Sequence, residues 1–184
     1  MDIVEVRVSD VKKWAGREDS VQIAEPWPPE AQARVDYPLL DPAVVDVVVR
    51  NAGGGTLIVQ ISGHLKAQVV CSRCAEPFET SLPFEATEEF REEAGPHDES
   101  LDYSRFTGDA VVLDNMVSDA VGVSFPITLL CQPNCRGLCT NCGANWNEDL
   151  CDCQPQGDNR WAALEQLLPD YMELEREENG RTKT

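Results

Sequence analysis

Residues 43–62, AVVDVVVRNAGGGTLIVQIS, decide the fold. Residues 43–49 form a run dominated by β-branched valines and ending at Arg50. Branching at Cβ restricts χ1 and favours extended chain. Asn51-Ala-Gly-Gly-Gly55 follows, a turn built from residues that tolerate positive φ. Residues 56–62 and 65–70 resume the strand pattern, with a kink expected at Gly63. Residues 79–90 read as the strand that returns. The sequence therefore predicts an antiparallel β-meander or barrel-like sheet, with Cys71 and Cys74 at the reversal between its second and third strands.

Upstream of this meander, residues 3–8 alternate apolar and charged side chains as a half-buried strand does, and residues 21–24 form a shorter candidate strand. Pro26, Pro28 and Pro29 then impose a loop around Trp27. Downstream, residues 85–119 are dominated by acids, with Arg91 and Arg105 as the only bases. Gly95, Pro96 and Gly108 lie in this stretch, which reads as a mobile acidic connection across its middle. It resolves into a short helix over 113–125, with Met116, Val117, Ala120, Val121 and Ser124 on its apolar side, Asp114 as cap and Pro126 as terminator. Past residue 153, Trp161, Leu164, Leu167, Leu168 and Tyr171 recur at helical spacing, with Pro169 as a break. The fold class is α+β. Its parts are a β-rich region over 1–90, an acidic connection over 91–112, a helix, cysteine-rich module and C-terminal helix over 113–174, and a flexible tail over 175–184.

Composition bounds the chemistry. Apolar residues make up 42% of 184, enough for a core. No segment reaches the roughly 18 consecutive apolar residues of a membrane span. The first ten residues have neither a basic nor an apolar signal region, so the expected compartment is the cytoplasm, where thiols stay reduced. The net charge is −18, from 33 acids against 15 bases. Such a chain repels a phosphate backbone and favours cationic partners such as basic proteins. The same acidity also serves solubility.

The eight cysteines carry the chemistry. Six lie in Cys131-x3-Cys135-x3-Cys139-x2-Cys142-x8-Cys151-x-Cys153, and Cys71-x2-Cys74 stands apart. Two residues between cysteines let the backbone curl so that both sulfurs face one point. Gly143, just after Cys142, permits a positive φ that turns backbone N–H groups toward sulfur. Cys139, Cys142, Cys151 and Cys153 thus form one candidate tetrahedral zinc site. Cys71, Cys74, Cys131 and Cys135 form a second, whose knuckle is less typical because Ala75 replaces glycine. A permuted set in which Cys135 enters the first site is also open. Residues 131–156 have few large apolar side chains beyond Leu138, Trp146 and Leu150, so burial alone does not offset their chain entropy. Metal coordination supplies about 10–16 kcal/mol in small zinc modules.

Rival readings of the thiols fare worse. Disulfides suit neither Cys-x-Cys nor a reducing compartment. A redox pair needs the strand–helix setting of a thioredoxin-like unit. An iron–sulfur cluster is open to four thiolates. The Cys135-x3-Cys139-x2-Cys142 spacing of radical S-adenosylmethionine enzymes needs a larger α/β barrel. Nor does the chain look like an enzyme. Catalytic zinc keeps an open position and often uses histidine, but His64 and His97 are remote in sequence from the cysteine pairs. No phosphate loop, dinucleotide fingerprint or nucleophile elbow occurs. Paired acids such as Glu88 and Glu89 read as surface.

The ordered motifs resemble a known family. Cys71-Ser-Arg73-Cys74 with Pro77-Phe78 after it, then an acidic gap, a short helix and Pro126, lead into Cys131-x3-Cys135-Arg-Gly-Leu-Cys139-x2-Cys142-Gly-Ala-Asn145, Cys151-x-Cys153 and Arg160-Trp161-Ala-x-Leu164. This pattern is similar to the YceD family of bacterial proteins, linked to accumulation of large-subunit ribosomal RNA. Trp146 departs from it, since many relatives have leucine there. The resemblance implies ribosome biogenesis: the synthesis, processing or stability of 23S ribosomal RNA. It implies no catalytic residues. The expected action is that of a zinc-containing binding module for a large-subunit ribosomal protein or an assembly intermediate, touching 23S ribosomal RNA indirectly. The alternative is a direct RNA-binding or RNA-processing protein, which would use Lys12, Lys13 and Arg17 beside Trp14.

Overall fold

The computed structural model describes residues 4–95, 101–148 and 151–153. The chain divides into two compact units, Met1–Arg136 and Gly137–Thr184. The helix expected around Trp161 and the fraying tail lie outside the described residues.

In chain order the first unit contains β1 (Glu5–Arg7), a 3-10 turn (Val11–Lys13), β2 (Glu18–Glu25), α1 (Pro29–Ala33), β3 (Leu39–Leu40), β4 (Ala43–Gly53), β5 (Thr56–Val70), β6 (Pro77–Glu92), β7 (Ser104–Phe106), β8 (Ala110–Val112) and α2 (Asp114–Ser124). The meander is the long antiparallel run β4-β5-β6, as residues 43–90 imply. Gly53 pairs with Thr56 across a two-residue turn. Gly54 and Gly55 in that turn have φ of 64° and 82°, the sign that a tight hairpin between twisted strands demands. Residues of alternating burial run along β4, and its Val45, Val47 and Val49 enter the core.

At Gly63 the pairing of β5 with β6 is not interrupted. β5 runs through it unbroken. A Cβ at this position would come within 2.5 Å of the Val44 carbonyl oxygen and 2.7 Å of the Phe84 ring, so the glycine makes room for an aromatic side chain from β6. Trp27 meets the same ring edge-on at 6.0 Å.

The sheet is open, which corrects the barrel-like expectation. Its strands run β2-β4-β5-β6-β7, with β3 paired to β5. β1 pairs instead with β8 in a separate two-stranded ribbon, leaving β2 as a free edge among the described residues. The acidic stretch also carries more structure than a connection. β7 joins β6 in parallel, and β8 lies opposite β1, because Phe106 and Val111 bury their side chains.

α2 packs on α1 and β6 and buries Met116, Val117, Ala120 and Val121. Its N-cap is Leu113 rather than Asp114. The Asp114 carboxylate instead accepts the Val4 N–H at 2.8 Å, so it fastens the start of the chain to the helix.

Candidate metal centre

The eight sulfurs gather into two groups of four. Cys71, Cys74, Cys131 and Cys135 form one, within the first unit. Cys139, Cys142, Cys151 and Cys153 form the other, within the second. Within each group the ligand atoms lie within 4.8 Å of one another. Cys135 therefore sits with the upstream pair, and the permuted set is not the one adopted.

The first group hangs on the turn that joins β5 to β6. The Cys71 N–H donates to the Glu76 carbonyl and the Ala75 N–H to the Cys71 carbonyl, both at 2.9 Å. Ala75 takes φ 58° to close this turn. The segment after α2 is laced to it. The Ser72 N–H donates to the Leu129 carbonyl at 2.7 Å, the Leu129 N–H to Ser72 Oγ at 3.1 Å, and Arg73 Nη1 to the Cys135 carbonyl at 2.9 Å. Arg73 is thus a structural clasp. Cys71, Cys74 and Cys135 are buried beside Phe78 and Leu130.

The second group repeats the turn. The Cys139 N–H donates to the Ala144 carbonyl at 2.8 Å and the Gly143 N–H to the Cys139 carbonyl at 2.9 Å, with Gly143 at φ 75°. A bridge between Leu138 and Asn145, and the Trp146 N–H on the Gly137 carbonyl at 3.0 Å, fold residues 137–146 back on themselves. In this unit the only buried described residues are Gly137 and Cys139. Its described part therefore holds no apolar interior. Cys142 and Cys153 are exposed.

Sulfur spacing tests whether a metal fits. Cys71 and Cys135 sulfurs are 3.7 Å apart, as are those of Cys74 and Cys131. A disulfide needs about 2.0 Å. Four sulfurs at about 2.3 Å from a tetrahedral ion stand about 3.8 Å from each other. The first group's spacing fits an ion, and the second group, whose sulfurs also lie within 4.8 Å of one another, could hold one as well.

Sequence reasoning missed one member of the second site. Trp146 Nε1 donates to the Cys151 sulfur at 3.4 Å. An N–H aimed at a ligand sulfur stabilises its negative charge and orients it. The one signal was the tryptophan inside the linker between ligand pairs.

Protonation follows from these contacts. The Trp146 N–H, with the Cys153 backbone, brings Cys151 down to about 6. At Cys71 burial pushes the thiol up, but the backbone N–H groups of Cys131, Cys74 and Arg73 overcome it and bring it to about 6. Burial and the Cys74 thiol push Cys131 up to about 12. Hydrogen bonds with Cys142 and Cys151 hold Cys153 up at about 12. Each group thus draws one thiol toward the thiolate and holds another protonated, and a dication in the cluster would reverse that resistance to ionisation.

The remaining candidates stay apart. His64 is exposed on β5, and His97 lies outside the described residues. Glu88 accepts from Ser104 and Glu89 from Arg91, so these acids serve β6 and its neighbours. The two lysines of the small basic cluster are already engaged. Lys12 bonds Glu92 and the Gly108 carbonyl, and Lys13 bonds Asp10 at 2.6 Å. Trp14 is 69% exposed. No helix among the described residues is long and apolar enough to cross a membrane.

An open, mainly antiparallel sheet with a four-cysteine group at its hairpin reversal, followed by a second four-cysteine unit, defines a class of cysteine-rich β-sheet protein that could hold metal. Residues 59–168 match the family described as "Large ribosomal RNA subunit accumulation protein YceD". The chain belongs to the YceD family. It is 30% identical over 129 residues to an uncharacterized protein of Mycobacterium tuberculosis strain H37Rv, covering 67% of this chain and 61% of that one. It therefore spans under two thirds of that relative's length. It is also 33% identical over 60 residues to the Arabidopsis thaliana "Large ribosomal RNA subunit accumulation protein YCED homolog 1, chloroplastic", covering 32% of this chain and 19% of that one. To the Zea mays protein of the same name it is 39% identical over 41 residues, 22% and 14% of the two chains. No solved structure matches the chain.

Proposed function

We propose that this chain is a non-catalytic ribosome biogenesis factor with zinc in both four-sulfur groups. It acts in the cytoplasm by holding a basic large-subunit ribosomal protein or an assembly intermediate. In that way it supports the synthesis, processing or stability of 23S ribosomal RNA indirectly. Two four-thiolate donor sets, each with its sulfurs within 4.8 Å of one another, suit structural zinc, and cysteine fills every ligand position, which leaves no place for a substrate.

The observation that carries the partner's chemistry is where the positive charge is spent. All three lysines among the described residues, Lys12, Lys13 and Lys66, are ion-paired, as are Arg34, Arg91 and Arg105. The acids outnumber the bases by 33 to 15, so the surplus is left for a cationic partner. This pairing also weakens the direct RNA reading, since two of its three candidate bases, Lys12 and Lys13 but not Arg17, already face carboxylates.

The test is capture of proteins from purified large ribosomal subunits and their precursors by the immobilised full-length chain, washed with graded salt. A basic ribosomal protein or a precursor particle should be retained at low salt and released as salt rises. No enrichment overturns the reading. Micromolar binding to 23S fragments, lost when Lys12, Lys13 and Arg17 are reversed in charge, supports direct RNA contact instead.

A further inference from the structure

Among the described residues, the rim where the sheet stays open carries two free strand edges. Beyond the Glu18–Arg50 pair of β2 and β4, the Asn51 N–H donates to the Arg17 carbonyl at 2.9 Å. Bonded pairs alternate along an antiparallel ladder. Asp19, Val21, Ile23 and Glu25 therefore turn their backbone groups toward β4, whereas Glu18, Ser20, Gln22 and Ala24 turn theirs outward. Ser20 bears this out: its N–H, with no strand opposite, donates to the Asp19 carboxylate at 3.0 Å. The same alternation holds in β1. The Val8 N–H donates to the Asp109 carbonyl and the Leu113 N–H to the Val4 carbonyl, so Glu5 and Arg7 turn away from β8.

The two edges flank one groove of about 400 Å³. Glu5, Val6 and Arg7 line it from β1, and Asp19, Ser20 and Val21 from β2. Its apolar lining includes the buried Val11 and Val49. Val21 stands opposite Val47, on the core face of the sheet, yet is 44% exposed. A strand in the groove would cover it. The margin is acidic: Glu5, Glu18, Asp19 and Glu25 form no ion pair among the described residues, and Arg7 is the one base in the lining.

We propose that this groove accepts an extended segment of a basic protein, added as a strand along the outward edge of β2. Main-chain bonds to Glu18, Ser20 and Gln22 supply affinity. Alternate side chains supply selectivity, with lysine or arginine beside Glu18 on one face and a small apolar side chain beside Val21 on the other. The proposal rests on the reading that the partner is basic and adds where it docks. A second copy is the poorer occupant. Pairing β2 with β2 would bring Glu18, Asp19 and Glu25 near the same acids, and like charges across a ladder destabilise it.

The test uses the full-length, metal-loaded protein and a ten-residue peptide of alternating valine and lysine, with a valine–glutamate peptide as control. Binding of the lysine peptide should slow amide exchange at Ser20 and Gln22, and the glutamate peptide should not bind. Ser20→Pro removes an outward N–H while sparing the ladder to β4. Glu18→Lys combined with Asp19→Lys alters exposed side chains only. Each variant should weaken lysine-peptide binding, and retention of large-subunit ribosomal proteins, at least tenfold. If the wild-type chain retains those proteins and both variants do so equally well, the groove is overturned and the basic-partner reading stands. If the wild-type chain retains none, both fall. A dimer in solution that Ser20→Pro dissolves makes a second copy the occupant and overturns the proposal.

Discussion

Ala75 and Gly143 hold the same place in two copies of one turn. Each donates its N–H, at 2.9 Å, to the carbonyl of the cysteine four residues before it, Cys71 or Cys139. Each does so at positive φ, 58° for Ala75 and 75° for Gly143. For alanine that conformation costs about 1–2 kcal/mol, and for glycine almost nothing. Part of the gain from inserting glycine is lost to its freer unfolded chain. Ala75→Gly should therefore stabilise the metal-loaded protein by up to about 1 kcal/mol, and Gly143→Ala should destabilise it by about 1 kcal/mol. A Cβ on Gly143 meets nothing within 4 Å, so the second effect is conformational, not steric. Denaturant unfolding of the two variants reads both signs. A loss of stability in Ala75→Gly would contradict this account of the upstream turn.

Metal content separates the two centres. The purified protein should carry two zinc ions per chain, Cys142→Ser one, and Cys71→Ser one. The order of loss should differ as well. Cys71, Cys74 and Cys135 are buried, whereas Cys142 and Cys153 are exposed. A competing chelator should therefore strip the Cys139 group first, in two resolved phases, with the faster phase missing from Cys142→Ser. A single phase, or two ions retained in Cys142→Ser, would count against two independent centres.

Trp146→Phe keeps an aromatic ring, though a smaller one, and removes the N–H that reaches the Cys151 sulfur. Loss of such an outer partner typically lowers metal affinity 10–100-fold. The variant should show that loss in chelator competition at the Cys139 group and leave the Cys71 group unchanged. Equal affinity in the two proteins would mean the indole only fills space.

Much of this architecture is legible in the sequence, for identifiable reasons. Valine alternation and a glycine turn carry the β4-β5-β6 meander, since strand period and turn chemistry are local. Cysteine spacing carries the ligand groups, because each knuckle closes within five residues. What escaped is long-range. The role of Gly63 depends on Phe84, 21 residues on, and the engagement of Asp114 depends on Val4, across 110 residues. The open sheet arises because β1 chooses β8 over β2, and three-residue strands carry too little pattern to fix their partner. The Gly63 slot has a measurable consequence. Gly63→Ala places a methyl against a backbone oxygen, which cannot yield as a side-chain tip does, so unfolding should show a loss of at least about 1–3 kcal/mol.

Metal uptake should release protons in a pH-dependent number. In the metal-free protein Cys71 and Cys151 titrate at about 6, and Cys131 and Cys153 at about 12. At pH 7 the first pair are largely thiolates and the second pair thiols. Because zinc binds thiolate, loading must expel the protons of Cys131 and Cys153 even at neutral pH. Below about pH 6, Cys71 and Cys151 hold protons too, and the count rises. Affinity should thus increase with pH across the neutral range and fall more steeply on the acid side of about 6. Calorimetric titration of zinc into metal-free protein, in buffers of different ionisation enthalpy, gives the proton number directly. Zero release at pH 7 would mean that all the ligand sulfurs are already ionised. The protonated state of Cys131 and Cys153, which a dication is needed to reverse, would then be wrong.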